Sequence, residues 1–207
     1  MYSDKVEYRE FGYSGIDGLL WPTSDTDAFS AILNDWKLDS THWIDNVDTK
    51  HTVVQAGGNC GMYPLLYSLH FETVYTFEPD PLNFHCLVNN CQTDNIIKFN
   101  TALGNGGFVK LIHYEDHNIG TMKTKKSKSA IIPAMRLDSL NLEHCDLIHF
   151  DLEGGESGAL DGSLDTIKKH KPIIVLEKGR GGKILSKFGY ECIYNGRDTV
   201  YQYVDGK

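Results

Sequence analysis

The stretch from Thr52 to Glu78, TVVQAGGNCGMYPLLYSLHFETVYTFE, decides the fold of this chain. A β-branched run at 52–56 leads into a glycine-rich break at 57–61, and an apolar helical segment follows at 62–69. A second extended run then ends in Glu78. Strand, glycine turn, helix and strand in this order predict a parallel sheet, which binds ligands at the carboxyl ends of its strands.

Two features of this stretch predict the kind of ligand. Glycine has no Cβ, so the loop at 57–61 can approach a ligand closely. An acid at the end of the second strand can accept hydrogen bonds from both hydroxyls of a ribose, and Glu78 has that position. We therefore predict that the chain holds an adenosine-containing cofactor.

The glycine loop admits three interpretations. A phosphate loop needs G-x-x-x-x-G-K-[ST], which the stretch lacks. A nicotinamide fingerprint needs G-x-G-x-x-G, and counting from Gly57 it fails twice, at Asn59 and Met62. An S-adenosylmethionine loop needs close backbone approach for the methionine portion and an acid for the ribose. Gly57, Asn59, Gly61 and Glu78 supply these parts.

Length and charge are those of an ordinary globular protein. The chain has 207 residues, enough for one α/β domain with a full core, and a formal charge of −8. This charge argues against broad nucleic-acid binding, which needs a basic surface. No run of about 18 apolar residues is present and the N-terminus lacks an apolar signal core. We therefore expect no membrane partner and a cytoplasmic location.

The five cysteines are odd in number and include no C-x-x-C pair, which suits a reducing compartment and argues against a zinc site or a disulfide framework. We assign no metal ligand. One basic cluster comprises Lys123, Lys125, Lys126 and Lys128. It is interpreted either as a solvated loop or as a lip that attracts an anionic substrate.

Residues 1–50 differ from the rest of the chain, because they are rich in aromatic residues and acids and show no strong strand pattern. Apolar residues at helical spacing predict a helix over 25–36, and a second short helix is predicted over 43–47. We therefore predict a helical N-terminal cap at 1–50 on a cofactor-binding domain at 51–207.

The second domain alternates strands and helices. An alternating run at 108–114 predicts an edge strand, residues 118–128 are predicted to form a loop, and one helix is predicted over 157–170. The Asn195-Gly196 pair predicts a hairpin between the last two strands. A parallel sheet therefore ends in an antiparallel hairpin.

A second group of polar residues follows the apolar strand at 147–150. Asp151, Glu153 and Glu156 come directly after it, where the ligand crevice opens. Carboxylates at this place can take a proton from a hydroxyl, hold an ammonium group or bind a divalent metal. Glu153 and Glu156 are alternatively first-turn residues of the next helix, where the helix dipole favours negative charge.

His149 and Glu177 belong to the same region. Strand alternation places His149 on the same side as Asp151, and it is interpreted either as a satisfied core residue or as a base. Glu177 ends the neighbouring strand at the crevice rim.

Five motifs resemble the FkbM-type S-adenosylmethionine-dependent methyltransferases. They are Q-A-G-G-N-C-G at 55–61, F-E-P-D-P at 77–81, R-L-D-S-L at 136–140, D-L-I-H-F-D-L-E-G at 146–154 with Glu156, and K-P-I-I-V-L-E at 171–177. The resemblance covers residues 50–205. It implies a class I methyltransferase fold, which is Rossmann-like: an α/β fold with a seven-stranded, mostly parallel sheet of order 3-2-1-4-5-7-6.

The resemblance also implies an activity, namely O-methylation of a hydroxyl on a sugar, a glycan or another small molecule. Two departures concern the site. The first strand of the family ends in an acid where this chain has Gln55, and the family's lysine before the central Asp is His149 here. An amide at Gln55 can still hydrogen-bond the loop or the ammonium group of the cofactor, without charge.

We therefore predict an S-adenosyl-L-methionine-dependent O-methyltransferase in which Asp151 is the base or orients it, with Glu153 and His149 in reserve. The predicted cofactor-binding residues are Gln55, Gly57, Asn59, Gly61, Glu78, Ala102, Leu103 and Asp151, with Ala102 and Leu103 near the adenine. The loop at 118–128 and the cap are expected to shape the acceptor pocket.

Two other functions compete with methyl transfer. One is a non-catalytic protein that binds an adenosyl ligand, and the other is a nicotinamide-dependent oxidoreductase. The expected partner is a small-molecule or glycan acceptor, and a nucleic-acid partner is not expected. No oligomeric state is assigned.

Overall fold

The computed structural model describes residues 2–13, 16–30, 33, 42–112, 118–125 and 127–205. Its strands are β1 (Val6–Tyr13), β2 (Ile16–Pro22), β3 (Thr52–Ala56), β4 (Thr73–Phe77), β5 (Ile96–Phe99), β6 (Ala102–Leu103), β7 (Phe108–Ile112), β8 (Lys123–Lys125), β9 (Ile132–Met135), β10 (Leu147–Phe150), β11 (Ile173–Glu177), β12 (Tyr190–Asn195) and β13 (Asp198–Tyr203). Its α-helices are α1 (His42–Asp45), α2 (Met62–Ser68), α3 (Pro81–Asn90), α4 (Glu156–Asp161), α5 (Leu164–His170) and α6 (Gly182–Leu185). Short 3₁₀ helices lie at Ile119–Thr121, Leu137–Leu140 and Ser186–Phe188.

A seven-stranded mixed sheet forms the centre of the molecule, in the order β12-β13-β11-β10-β3-β4-β5. Counted within this sheet alone, with β3 as its first strand, the order from the β5 edge is 3-2-1-4-5-7-6. β13 runs in the opposite direction to the other six strands of this sheet. The central strands β3, β10 and β11 are buried along their whole length, as expected for a sheet covered on both faces.

Helices cover both faces of this sheet. One face packs against α2, α3, the segment around α1 and the end of β2, through side chains that include Tyr67, Leu87 and Trp21. The other face packs against α4, α5 and α6, through side chains that include Leu160 and Leu185. The result is a three-layer α/β/α arrangement, with the carboxyl ends of β3, β4, β10 and β11 at one edge.

Residues 1–50 differ from the predicted helical cap. The described part forms an antiparallel hairpin of β1 and β2, with residues 28–30 and residue 33 helical and the short helix α1 after them. The rest of the helix predicted over 25–36 lies outside the described residues. The hairpin was missed because the apolar alternation of Val6–Tyr13 breaks at Glu10. The strand gains its order from pairing with β2, which local periodicity does not reveal.

A second sheet of four strands, β6-β9-β7-β8, lies between β5 and β10 in the chain. The prediction of an edge strand at 108–114 was wrong for its described part, because β7 pairs with β9 on one side and β8 on the other. The predicted loop at 118–128 contains a 3₁₀ helix and β8. Residues 113–117 and 126 lie outside the described residues.

The helix predicted over 157–170 is two helices, α4 and α5, separated at Gly162 and Ser163. A Cβ on Gly162 would lie 2.0 Å from the carbonyl oxygen of Gly104. The chain therefore passes so close to the second sheet that only glycine fits, and the helix breaks there. Within the described residues, no helix is both long enough and apolar enough to cross a bilayer.

Candidate functional site

A cavity opens at the carboxyl edge of the large sheet, where Gly57, Glu78 and Asp151 follow the ends of β3, β4 and β10. It encloses about 1210 Å³ including its open mouth. The wall further includes Ala102, Leu103 and Glu153 from the predicted site residues.

The glycine loop at 57–61 passes against the end of β10. A Cβ on Gly57 would lie 1.9 Å from the carbonyl oxygen of Asp151, and the Gly57 φ of 88° lies in the left-handed region. Both facts require glycine, because a side chain there would push the loop off the neighbouring strand. The loop thus brings the ends of β3 and β10 together at the cavity wall.

Glu78 is held by backbone N–H groups on both of its carboxylate oxygens. The Asn59 N–H donates to Oε2 and the Asp80 N–H donates to Oε1, each at 2.8 Å. An ionised carboxylate has about four acceptor positions, so each oxygen can still accept one further hydrogen bond. The carboxylate is therefore aimed and fixed before any ligand arrives.

Burial raises the pKa of Glu78 to about 8, although the two N–H groups act in the opposite direction. The N–H donors favour the charged form, but they are neutral and cannot replace the lost hydration fully. A ligand that donates hydrogen bonds to Glu78 would favour its ionised form and lower this pKa.

Gln55 does not line the cavity. Its Nε2 donates to the carbonyl of Gly57 at 2.9 Å, and its Oε1 accepts from the Thr76 hydroxyl at 2.7 Å. Both ends of the amide are thus used within the protein. Gln55 acts on the site by holding the glycine loop, and Gly61, which precedes α2, likewise lies behind the wall that Gly57 and Asn59 form.

Three carboxylates after β10 and β11 converge on one cation. The Arg180 Nη1 lies 3.0 Å from Glu177, 3.7 Å from Glu153 and 3.8 Å from Glu156. Glu156 Oε1 also accepts the N–H groups of Leu152 and Gly154, at 3.1 and 3.2 Å, so Glu156 caps the turn that carries Asp151 and Glu153. The prediction that Glu156 belongs to a first helical turn agrees with the start of α4.

Asp151 lies in the middle of this acidic group and in the cavity wall. Burial raises its pKa well above the usual range, and the nearby charges of Glu177, Asp198, Glu153 and Glu156 raise it further. Each of these effects disfavours the carboxylate. An ionised Asp151 is accordingly a stronger base than an exposed aspartate.

His149 lies beneath the cavity and does not line it. Trp43 Nε1 donates to the Tyr67 hydroxyl at 3.0 Å, and this hydroxyl shares a hydrogen bond with His149 Nδ1 at 2.7 Å. Burial lowers the pKa of His149 to about 3, so the ring is neutral. This placement outside the cavity argues against the reserve role of His149 as a base and favours a core position. The ring is only half satisfied, because Nε2 is buried without a hydrogen-bond partner among the described residues.

Asp151, Glu153 and Glu177 carry ligand atoms within 4.8 Å of one another, a spacing that can hold a metal ion. Glu177 is contacted by both Arg180 and Lys178, and Glu153 by Arg180. Two protein cations thus already balance charge in this group. The sequence assigned no metal ligand, and that assignment stays a prediction.

The sequence did not identify Asp25 as an organising residue. Its buried carboxylate accepts from Trp21 Nε1 at 2.7 Å, from the N–H groups of Ala28 and Phe29 at 3.1 and 3.0 Å, and from the N–H of Ile119 at 3.3 Å. Asp25 therefore joins the N-terminal segment to the loop at 118–122. Trp21, Ala28 and residues 118–122 all line the cavity, together with Tyr63 and Arg197. Only the Asp25 position before a helical pattern was visible in the sequence.

The fold and the site define an α/β protein with a cavity at the carboxyl edge of its sheet. The model of the methyltransferase FkbM domain matches residues 67–188, more than half of the chain. The chain belongs to the FkbM methyltransferase family. A comparison with curated proteins found no significant match.

Solved structures share the fold. The methyltransferase FkbM from Methylobacillus flagellatus KT is 17% identical with a TM-score of 0.53, over 87% of this chain and 56% of that one. The putative methyltransferase yhhF from Escherichia coli is 11% identical with a TM-score of 0.51, over 97% and 100%. WT Trm5b from Pyrococcus abyssi is 13% identical with a TM-score of 0.50, over 95% and 54%. The chain thus spans about half the length of two of these proteins, and identities this low establish the fold alone.

Proposed function

We propose that this protein is an S-adenosyl-L-methionine-dependent O-methyltransferase that acts on a hydroxyl of a small molecule, such as a sugar or glycan. One observation carries the proposal: Glu78 and Asp151 end two parallel strands of the same sheet and line the same cavity, with the glycine loop between them. Family membership supports methyl transfer as the reaction class.

The residues present fit the cofactor. Glu78 keeps acceptor capacity on both oxygens for the two ribose hydroxyls, and Asn59 holds it in place through its N–H. Ala102 and Leu103 are buried apolar residues in the wall beyond Glu78 and suit an adenine ring. Gly57 and Asn59 suit the methionine portion. The cofactor supplies the methyl group on a sulfonium sulfur.

On the acceptor side, the chain itself supplies a base and an enclosure. Asp151 removes the proton of the acceptor hydroxyl, a contribution of roughly 10²–10⁴-fold in rate. Glu153, which is in the same wall, is the reserve for this role. Trp21 and the residues at 118–122 close the side of the cavity and orient the acceptor, since alignment of reacting groups supplies about 7–11 kcal/mol in favourable cases.

Two competing functions remain distinguishable by experiment. A nicotinamide-dependent oxidoreductase would need a pyrophosphate-binding turn, and the loop at 57–61 lacks that glycine pattern. A non-catalytic adenosyl-binding protein would bind the cofactor without turnover. The neutral amide at Gln55, used inside the protein, is the feature that favours this alternative.

Calorimetry with S-adenosylhomocysteine, followed by incubation with a methyl-labelled donor and a panel of sugars, glycans and nucleic acids, tests the proposal. We expect binding of S-adenosylhomocysteine, no binding of NADH, and label transfer to a hydroxyl of one small acceptor. The same incubation with a chelator is expected to leave transfer unchanged.

Each other outcome has a definite meaning. The methyltransferase proposal is wrong if neither S-adenosylmethionine nor S-adenosylhomocysteine binds. Binding without transfer to any member of the panel would favour the non-catalytic alternative. Loss of transfer with the chelator would assign a metal to Asp151, Glu153 and Glu177.

A further inference from the structure

The outer face of the four-stranded sheet carries exposed apolar and basic side chains side by side. Strand alternation places Phe108 and Lys110 of β7 on this face, while Val109 is buried beneath them. Phe108 is 60% exposed, and Ile131, which directly precedes β9, is 83% exposed. Large apolar side chains exposed together mark an interaction surface more often than single ones do.

Lysines continue this face across the sheet. Lys110 pairs directly with Lys125 of β8, and both are exposed. Like charges directly opposite each other destabilise a sheet. Lysines on the edge strand β8 would be explained by protection of that edge, but Lys110 lies on an inner strand of the sheet. The pairing therefore indicates a requirement for positive charge at this place.

The charge of this region is opposite to that of the whole chain. Residues 100–136 contain six Lys or Arg and two Asp or Glu, whereas the chain contains 20 and 28. Lys128, in the segment between β8 and β9, is also exposed. A basic region on an acidic protein is a charge asymmetry typical of a docking surface for an anionic partner.

We propose that the outer face of this sheet, formed by Phe108, Lys110, Lys125 and Ile131, docks on an anionic lipid surface, with the exposed Lys128 in the segment that follows β8. The lysines attract the negatively charged headgroups, and Phe108 and Ile131 enter the boundary between headgroups and acyl chains. Lying on a bilayer requires no spanning helix. This proposal replaces the expectation of no membrane partner and does not depend on the proposed methyl transfer.

The chemistry of the face favours lipid over the two other kinds of partner. Protein interfaces are depleted in lysine. Binding of single-stranded nucleic acid stacks bases on several aromatic rings, whereas Phe108 is the single aromatic residue among the described residues of this face. Lysines beside an exposed aliphatic and an aromatic side chain are the pattern of interfacial membrane binding.

The net negative charge of the protein does not prevent this docking. Charges are screened over about 8 Å at physiological ionic strength, and a chain of this length has a radius of gyration of about 17 Å. Acids on the far side of the molecule are therefore screened from the bilayer, while the lysines of the docking face are in contact with it.

The opposite face of the same β7–β8 hairpin contributes Leu111 and Thr124 to the cavity wall, so docking would set the cavity close to the lipid surface.

Co-sedimentation with vesicles tests the proposal on the full chain. The vesicles are phosphatidylcholine alone and phosphatidylcholine with one third phosphatidylglycerol, each at low and physiological salt. We expect binding to the anionic vesicles only, weaker at higher salt. Lys110→Glu with Lys125→Glu should reduce the partition coefficient about tenfold or more, and Phe108→Ser with Ile131→Ser should reduce it at physiological salt.

The matched control is Lys183→Glu with Lys187→Glu, which makes the same charge change at exposed lysines near α6. It should bind the anionic vesicles as the unchanged protein does. Four outcomes would overturn the proposal. They are an equal loss of vesicle binding in the control variant, binding of the protein to neutral vesicles, no binding to either kind of vesicle, and tighter binding to a single-stranded oligonucleotide than to vesicles. Circular dichroism and S-adenosylhomocysteine binding report separately whether each variant is folded.

Discussion

Glu78 and Asp151 occupy matching positions on two strands and are held in different ways. Each follows a parallel strand of the large sheet, each lines the cavity, and burial raises the pKa of each. Glu78 is bound by two neutral backbone N–H groups. Asp151 lies among four other acids, three of which share Arg180.

This difference in surroundings explains how one sheet edge could both bind a cofactor and carry a base. Glu78 is fixed by backbone N–H groups of the two loops that follow β3 and β4, which suits binding of a constant cofactor. Asp151 is surrounded by titratable side chains, so its charge responds to whatever enters the cavity. Binding and reaction should therefore be separable by mutation.

Asp151→Asn is expected to give the largest effect. The amide keeps the shape but cannot take a proton, so kcat with the identified acceptor should fall about 10²–10⁴-fold. The affinity for S-adenosylhomocysteine should stay within about threefold, as measured by calorimetry.

The control for this variant is Asp94→Asn, at an exposed acid outside the cavity wall. It should retain full turnover. Unchanged kcat in Asp151→Asn would place the base elsewhere and remove the contrast between the two acids.

Glu78→Ala should act on binding. Hydrogen bonds to a charged group are worth about 1.5–3 kcal/mol each, so loss of two should weaken S-adenosylhomocysteine binding about 10²–10⁴-fold. The exposed Glu72→Ala is the matched control and should bind normally. If calorimetry finds the same affinity in both variants, Glu78 does not hold the ribose.

Gly57→Ala tests the loop that joins the two acids. The new methyl group would meet the Asp151 carbonyl at a left-handed φ, and we expect a loss of about 3 kcal/mol in the free energy of unfolding. Gly158→Ala, in α4 with open space around the position, should instead stabilise by about 0.5–1 kcal/mol. Urea denaturation measures the free energy of unfolding of both variants. Equal values would mean that the loop accommodates the methyl group without loss of stability.

The smallest expected effect is a pH dependence of nucleoside binding. Only ionised Glu78 accepts both ribose hydroxyls, and its pKa is about 8 in the free protein. Affinity for adenosine should therefore rise as pH rises, by about tenfold from pH 7 to pH 9. Adenosine has no group that titrates in this range. A Glu78→Gln variant should show a flat profile, and a flat profile in the unchanged protein would contradict the prediction.

Much of the site was predictable because strand ends are visible in a sequence. Glu78, Asp151 and Glu177 each close an apolar run, and parallel strands bring such ends to one edge. The structure departs from the predicted site where a side chain from a distant segment forms a hydrogen bond with a predicted site residue. Gln55 and His149 stand beside strand ends too, but Thr76 and Tyr67 bind them inside the protein.

The helical cap failed for a related reason. The apolar alternation of Val6–Tyr13 breaks at Glu10, and the strand gains its structure from pairing with β2. Asn90 of α3 then fixes this hairpin to the glycine loop, since it exchanges hydrogen bonds with both backbone groups of Leu20 and donates to the carbonyl of Cys60. The sequence pattern of residues 1–22 does not predict a hydrogen-bond partner at position 90.

The sheet, its glycine loop and the acids at its edge follow from the order of residues, because they depend on periodicity and on residue types that the backbone requires locally. Which of these groups reach the cavity, and what charge they carry, depends on how the chain packs. Burial and neighbouring charges are set by segments far apart in the chain, such as Arg180 beside Glu153 and Asp25 beside Ile119. Hydrogen bonds and desolvation act through space, and a linear pattern does not contain those distances.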